Sequence, residues 1–254
     1  MEAVPQTDYV VVAGDGPAEI LSRHTALTGR PPMMPDWAMG YWQCKLRYET
    51  QAEVLAVARE HTARGLPLDC LVIDFFHWPK MGEWRFREED FPDPAAMVAE
   101  LREMGIRPMV SVWPTVSANA ETYREMSRRG LLVDSRHGAL DGSIFVDREP
   151  AGLNALKFYD PTNPEARAFH WERIREGYVR HGIDAFWLDA CEPEMYPVHP
   201  ANMRYHAGDG RAVTNAYPFL HHQGYAEHCA ADGLDETVWL SRSAWLGSQR
   251  FPVV

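Results

Sequence analysis

Long hydrophobic runs are missing from this sequence. No stretch of about eighteen apolar residues occurs, so no transmembrane helix and no membrane partner are expected. Cysteine is scarce: Cys44, Cys70, Cys191 and Cys229 lie far apart and form no CxxC pair. That spacing argues against a disulfide framework or a zinc ribbon and for a reducing compartment. The N-terminus lacks the charged-then-apolar pattern of a signal peptide, and a cytoplasmic location is the expectation. No block of Lys or Arg occurs, and 25 basic against 36 acidic residues leave a formal net charge of −11, so nucleic acid is not an expected partner. Gly-rich phosphate loops of the GxGxxG or GxxxxGK[ST] kind are absent, as are HxH, HExxH and GxSxG. His221 and His222 are adjacent, and neighbours on a helix point in different directions, so they do not chelate one metal easily. No metal and no cofactor are expected. Internal repeats and low-complexity tracts are also lacking.

What is present is an ordinary globular composition, 46% hydrophobic and 24% charged, with enough apolar surface to offset the entropy of ordering. Residues 1–36 read as an N-terminal segment and linker, the remnant of a β domain. Tyr9–Ala13 is a short β run stopped by Gly14-Asp15-Gly16, and Pro17–Leu27 is helical. Three prolines between Gly29 and Pro35 then make a stiff linker.

From residue 37 onward strands and helices alternate. Strands are expected over Met39–Cys44, Leu68–Phe75, Arg107–Trp113, Asp184–Asp189 and Val238–Ser241, with a sixth beginning in Phe251–Val254. Helices are expected over Thr50–Arg64, with Thr50 as N-cap and Glu53 completing a capping box, over Asp93–Met104, Glu121–Arg129, Asn163 to about His181, and Pro218–Asp232. An insertion occupies about 131–160. Such alternation implies parallel strands with crossover helices. An open doubly wound sheet and a (β/α)8 barrel both fit. The missing phosphate loops weaken the first, and polar or aromatic residues at the strand ends favour the second, because barrel strands converge there. The fold class is therefore α/β, a partial (β/α)8 TIM barrel of about five to six units over 37–254.

Those strand ends carry the candidate chemistry. In FWLDACEPE an apolar strand runs into Asp189, then Glu192 and Glu194, which sets a carboxylate at a low-dielectric mouth. LVIDFFHW repeats the arrangement with Asp74. A strand-end Asp also caps a βα loop, and that bland reading stands beside the functional one. Trp113 ends a third strand, where a core role is the alternative to a ligand wall. Arg242 ends a fifth, and its burial would call for a carboxylate partner in the mouth. Cys191 has no histidine to activate it and reads as a small packing residue.

Six ordered blocks now carry a resemblance: GRPPMMPDWAMGYWQ, LVIDFFHW, FPDPAAMVAELREMGIRPMVSVWP, YDPTNPEAR, FWLDACEPE and LSRSAWLGSQRFPV. Over about residues 20–254 the chain resembles glycoside hydrolase family 31, the α-glucosidase and α-xylosidase family. The resemblance implies a retaining glycosidase acting on terminal α-linked xylosyl or glucosyl residues of oligosaccharides or glycosides, without cofactor. It implies Asp189 as catalytic nucleophile and Asp74 as ligand of the sugar hydroxyls. Phe76 and Trp113 would be walls, Trp187 would face the same interior, and Arg242 would contact the sugar or the second carboxylate. In that family the acid/base is an Asp in a WSGD-like or GGD-like segment following the last of these blocks, so it is expected beyond Val254. A non-catalytic sugar-binding fragment and a metal-dependent barrel hydrolase are the alternatives. Self-association of the complete protein stays open.

Overall fold

The computed structural model describes residues 3–138, 142–147, 152–194 and 199–254. The chain enters through α1 (Pro17–Thr28), which buries none of its residues. The expected strand at Tyr9–Ala13 does not form. Tyr9 is 86% exposed, and among the described residues no strand pairs with this run to complete a ladder. A 3₁₀ turn at Asp36–Met39 leads into β1 (Trp42–Cys44), shorter than the Met39–Cys44 expected. Asp69 sets this boundary. Its carboxylate accepts the Tyr41 N–H at 2.8 Å and occupies the space where a side chain on residue 40 would stand, so Gly40 is required there.

Next comes α2 (Gln51–Ala63), whose Val54, Leu55 and Ala58 are buried. Thr50 caps it by accepting the Glu53 N–H, while the Glu53 carboxylate reaches back to the N–H of Glu49, one residue upstream of the usual capping-box partner. Thr50→Ala is expected to cost about 1 kcal/mol, the usual worth of such a cap. Urea unfolding of the two proteins checks it, and an unchanged midpoint would mean that Glu53 carries the helix start alone.

Further along come β2 (Cys70–Ile73), α3 (Pro94–Glu103), capped by Asp93, and β3 (Arg107–Val112). They are followed by β4 (Thr115–Ser117), α4 (Tyr123–Arg128), β5 (Asp134–Ser135), β6 (Ser143–Asp147) and β7 (Gly152–Phe158). The insertion is therefore partly sheet: β6 pairs with β7, and β7 with β4, all antiparallel. Its residues 139–141 and 148–151 lie outside the described residues.

Asn163 caps α5 (Pro164–Gly177), which ends earlier than the His181 expected and continues as a 3₁₀ turn over Val179–His181. The cause is a close approach: a Cβ at Gly177 would lie 1.9 Å from the Trp84 carbonyl oxygen, so the backbone of the loop after β2 packs directly on the helix end. Last come β8 (Ala185–Leu188), β9 (Met203–Tyr205), β10 (Gly208–Asp209), α6 (Gly210–Val213), α7 (Tyr217–Ala231) and β11 (Trp239–Leu240).

The central sheet has the order β1-β2-β3-β8-β11, and every pair in it is parallel. Sequential neighbours joined by crossover helices are the barrel arrangement. A bridge from Trp239 to Val253 begins the next position, as expected for Phe251–Val254. Alternation along the strands divides the core in two. Leu71, Ile73, Val110, Val112, Phe186, Leu188 and Trp239 are buried with the helices. On the other face Cys70, Val72, Met109 and Ala185 form a separate cluster, flanked by partly exposed Trp42, Trp187 and Leu240. This second face is the concave interior of the partial barrel.

Candidate active site

Parity decides which side chains reach the interior. Cys70 and Val72 point inward, so Asp74, two residues beyond Val72, does as well. The same count from Met109 gives Ser111 and Trp113, from Ala185 it gives Trp187 and Asp189, and from Leu240 it gives Arg242. By this count four strands direct the polar or aromatic side chains just past their ends to one face. Trp187 sits one layer below Asp189, in the apolar floor.

Asp189 is 7% exposed, and its Oδ1 lies 3.3 Å from Nε of Arg242. The guanidinium, half exposed, also meets Glu192 at 2.8 Å and Glu194 at 2.5 Å. The carboxylate partner expected of Arg242 is therefore a set of three. Burial raises the pKa of Asp189. The Ala190 N–H and Arg242 oppose that shift, and the charges of Glu192 and Glu194 add to it.

Asp74 is 4% exposed and pushed up to about 6. Burial is the main cause. The Phe75 N–H and Arg47 pull it down, and the charge of Asp189 pushes it up, so the two carboxylates feel one another. A carboxyl whose pKa is raised on folding stabilises the protein while protonated, and that contribution is lost as pH rises from about 4 through about 6. In Asp74→Asn the fall of Tm between about pH 4 and 6 should be shallower than in the parent. Identical pH slopes would contradict a desolvated Asp74.

Aromatic rings cluster in the loop after Asp74 and at the end of β3. Phe75 stands 4.6 Å from Phe76 and 5.5 Å from Trp113, and Phe76 is 6.3 Å from Trp78. Trp84 donates its Nε1–H to the carbonyl of Trp113 at 2.8 Å and fixes that strand end. Phe76 and Ala190 hold φ of 65° and 55°, in the left-handed region. Backbone strain of this kind clusters at functional sites, and here it falls two residues after one interior aspartate and one after the other. At the same strand ends, Asp189 Oδ1, Trp113 Nε1, Trp78 Nε1 and Ser111 Oγ are buried without a hydrogen-bond partner among the described residues. Buried polar atoms are normally satisfied, so these have capacity for a further polar partner.

Several residues of the site had no mark in the sequence. Arg47, in the loop after β1, lies over the Phe76 ring at 5.2 Å. His77 bonds the Asp74 carbonyl through Nδ1 at 2.9 Å and the Tyr178 hydroxyl through Nε2 at 2.8 Å. Phe145, on β6, packs at a tilt with its ring 5.4 Å from that of Trp113, and with Ile144, Leu156, Phe158, Ala190 and Glu194 it lines a cavity of about 190 Å³. Only its aromatic character hinted at a role.

His221 and His222 are buried and bonded to Tyr159 and Ser241 respectively. Among the described residues, no group of three His, Cys, Asp or Glu could hold a metal, and no helix is long and apolar enough to cross a membrane.

A parallel sheet of barrel order, with two aspartates, an arginine and aromatic rings at its strand C-termini, defines a (β/α)-barrel protein. Comparison with known proteins gives the family. The profile of the glycosyl hydrolases family 31 TIM-barrel domain matches residues 31–254, and the chain belongs to that family. An uncharacterized family 31 glucosidase, ORF2, of Pseudescherichia vulneris is 46% identical over 98% of this chain and 46% of its own length. The α-xylosidase of Saccharolobus solfataricus is 33% identical over the whole chain and 33% of its own length. Among solved structures, a family 31 α-xylosidase from a soil metagenome, in complex with xylose, superposes with a TM-score of 0.90 at 45% identity, covering 95% of this chain and 35% of that one. The chain thus spans less than half the length of these relatives.

Proposed function

We propose that this chain forms the nucleophile-bearing half of the active site of a retaining α-glycosidase, acting on terminal α-linked xylosyl or glucosyl residues. The observation that carries the reading is Asp189: a nearly buried carboxylate at the end of β8, held 3.3 Å from Arg242 and sensed by Asp74 on the same concave face. Relatives named α-xylosidase and glucosidase support the reaction class.

The chemistry follows from the positions. Asp189 attacks the anomeric carbon, and the bond to the leaving oxygen breaks as a glycosyl ester forms. Water then breaks the ester, and two inversions give net retention. Arg242 keeps Asp189 ionised against the burial that would protonate it. Asp74 accepts hydrogen bonds from sugar hydroxyls, and Phe76 and Trp113 cover the apolar faces of the ring. Trp187 supplies the floor beneath. In retaining enzymes a second carboxyl stands about 5–5.5 Å from the nucleophile and protonates the leaving oxygen. Glu192 and Glu194 are both engaged by Arg242. The family resemblance, not the geometry, supplies the partner: an Asp in a WSGD-like or GGD-like segment that follows the LSRSAWLGSQRFPV block in the complete barrel.

Hydrolysis of 4-nitrophenyl α-xyloside and α-glucoside by the complete enzyme, followed by proton NMR, tests the reading. The first sugar released should be the α anomer. Release of the β anomer would contradict the double displacement.

A further inference from the structure

Cys191 is a buried thiol that the proposed chemistry does not use, and it stands where the loops leaving β8 and β11 meet. Its Sγ lies 3.2 Å from the carbonyl oxygen of Leu188, 3.1 Å from Oγ of Ser243 and 3.5 Å from Oγ of Ser241. Ser241 Oγ in turn lies 3.0 Å from the Ser243 carbonyl and 3.1 Å from Nε2 of His222 on α7. Burial pushes the Cys191 thiol up to about 11 and His222 down to about 4, so both are neutral near pH 7.

One arrangement of protons fits these contacts, with His222 Nδ1 left without a partner among the described residues. His222 donates through Nε2–H to Ser241 Oγ, and the Ser241 hydroxyl donates to the Ser243 carbonyl. Ser243 donates its hydroxyl proton to Sγ, and the thiol donates to the Leu188 carbonyl. The relay runs from a helix on the outside of the sheet, through one strand end, to the next. It brackets the ion pair on both sides: Ser241 and Ser243 are the chain neighbours of Arg242, while Leu188 and Cys191 flank Asp189.

We propose that Cys191, Ser241, Ser243 and His222 form a clasp of positioning residues that sets the Asp189–Arg242 separation. This rests on the reading of Asp189 as nucleophile. The need for a clasp lies in the competition around Arg242. Its half-exposed guanidinium has Glu192 and Glu194 at shorter distances than Asp189, and without a fixed backbone it would settle on those two. Active-site groups need placement to within about 0.5 Å, which packing and supporting hydrogen bonds provide. The charged groups that act on Asp189 are Arg242, Glu192 and Glu194, and Asp74 feels it in return. A drift of Arg242 toward the glutamates therefore leaves Asp189 harder to ionise.

Three variants of the complete enzyme test this. Cys191→Ser keeps a donor and an acceptor in nearly the same space. Cys191→Val fills the space and keeps neither. Ser243→Ala deletes one hydroxyl at a partly exposed position, so it keeps the test open should the valine variant not fold. The valine and alanine variants should lose about 5–10-fold in kcat, with KM within about twofold and the acidic limb of kcat/KM moved up by about half a pH unit. The serine variant should stay within about twofold of the parent. An unmoved kcat, an unmoved acidic limb, or a serine variant as impaired as the valine one would each overturn the clasp. Trapping the glycosyl-enzyme in the parent keeps the two claims apart. An ester on Asp189 leaves the nucleophile reading standing whatever the variants do, and an ester on another residue ends both.

Discussion

Asp189→Asn in the complete enzyme is expected to lower kcat by at least about 10⁴-fold, the scale on which removal of an essential nucleophile acts. The amide has nearly the shape of the carboxylate but cannot form the glycosyl ester at a useful rate. Folding should survive, and the direction of the accompanying change in stability is fixed by the site. Burial makes the charged form of Asp189 costly, so a neutral side chain in the same place removes a desolvation penalty. Arg242 still has Glu192 and Glu194. Tm should therefore stay level or rise slightly. Initial rates on an α-xyloside and a thermal melt, taken on one preparation, check both halves. Retained turnover would move the nucleophile elsewhere, with Glu192 the nearest candidate.

The second large effect is expected at Arg242. Arg242→Met keeps much of the aliphatic stem and removes the charge that Asp189, Glu192 and Glu194 share. Three carboxylates then face one another in a partly desolvated mouth, and protonation of Asp189 becomes easier. The guanidinium is half exposed, so solvent screens part of the interaction. A loss of about 10²-fold in kcat/KM near neutral pH is the expected scale, at the low end for removal of a positioned charge in an active site. The acidic limb of the pH profile should move up, so that the deficit shrinks as pH rises. A rate deficit independent of pH would mean that Arg242 acts on the substrate rather than on the ionisation of Asp189.

The parts of the fold that could be read in the sequence are those whose cause is local. The buried strands β2 and β8 are apolar runs that end in Asp. Thr50, Asp93 and Asn163 announce helices through their own side chains, and the structure shows each accepting a backbone N–H of the first turn. Bringing Asp74, Trp113, Asp189 and Arg242 to one end of the sheet required only that the parallel strands of one barrel end on the same face. The failures have causes distant in sequence. Tyr9–Ala13 has strand composition but no neighbour. The end of α5 at Gly177 is dictated by the Trp84 carbonyl, and the start of β1 by Asp69. Arg47 and Phe145 enter the site through tertiary packing on Phe76 and Trp113, which no spacing in the chain encodes. Cys191 was legible as a packing residue, which its burial bears out, but its serine partners lie some fifty positions away.

The most direct test of the central claim is mass spectrometry of the complete enzyme after reaction with a slow-turnover substrate, a 5-fluoro-α-xylosyl or 5-fluoro-α-glucosyl fluoride. Fluoride leaves without needing a proton, so glycosylation proceeds, while the ring fluorine slows hydrolysis of the ester and lets it accumulate. The expected result is one added glycosyl mass per chain, located by peptide fragmentation on Asp189 of the peptide containing FWLDACEPE. A label on any other residue, or inactivation without a covalent adduct, would contradict it.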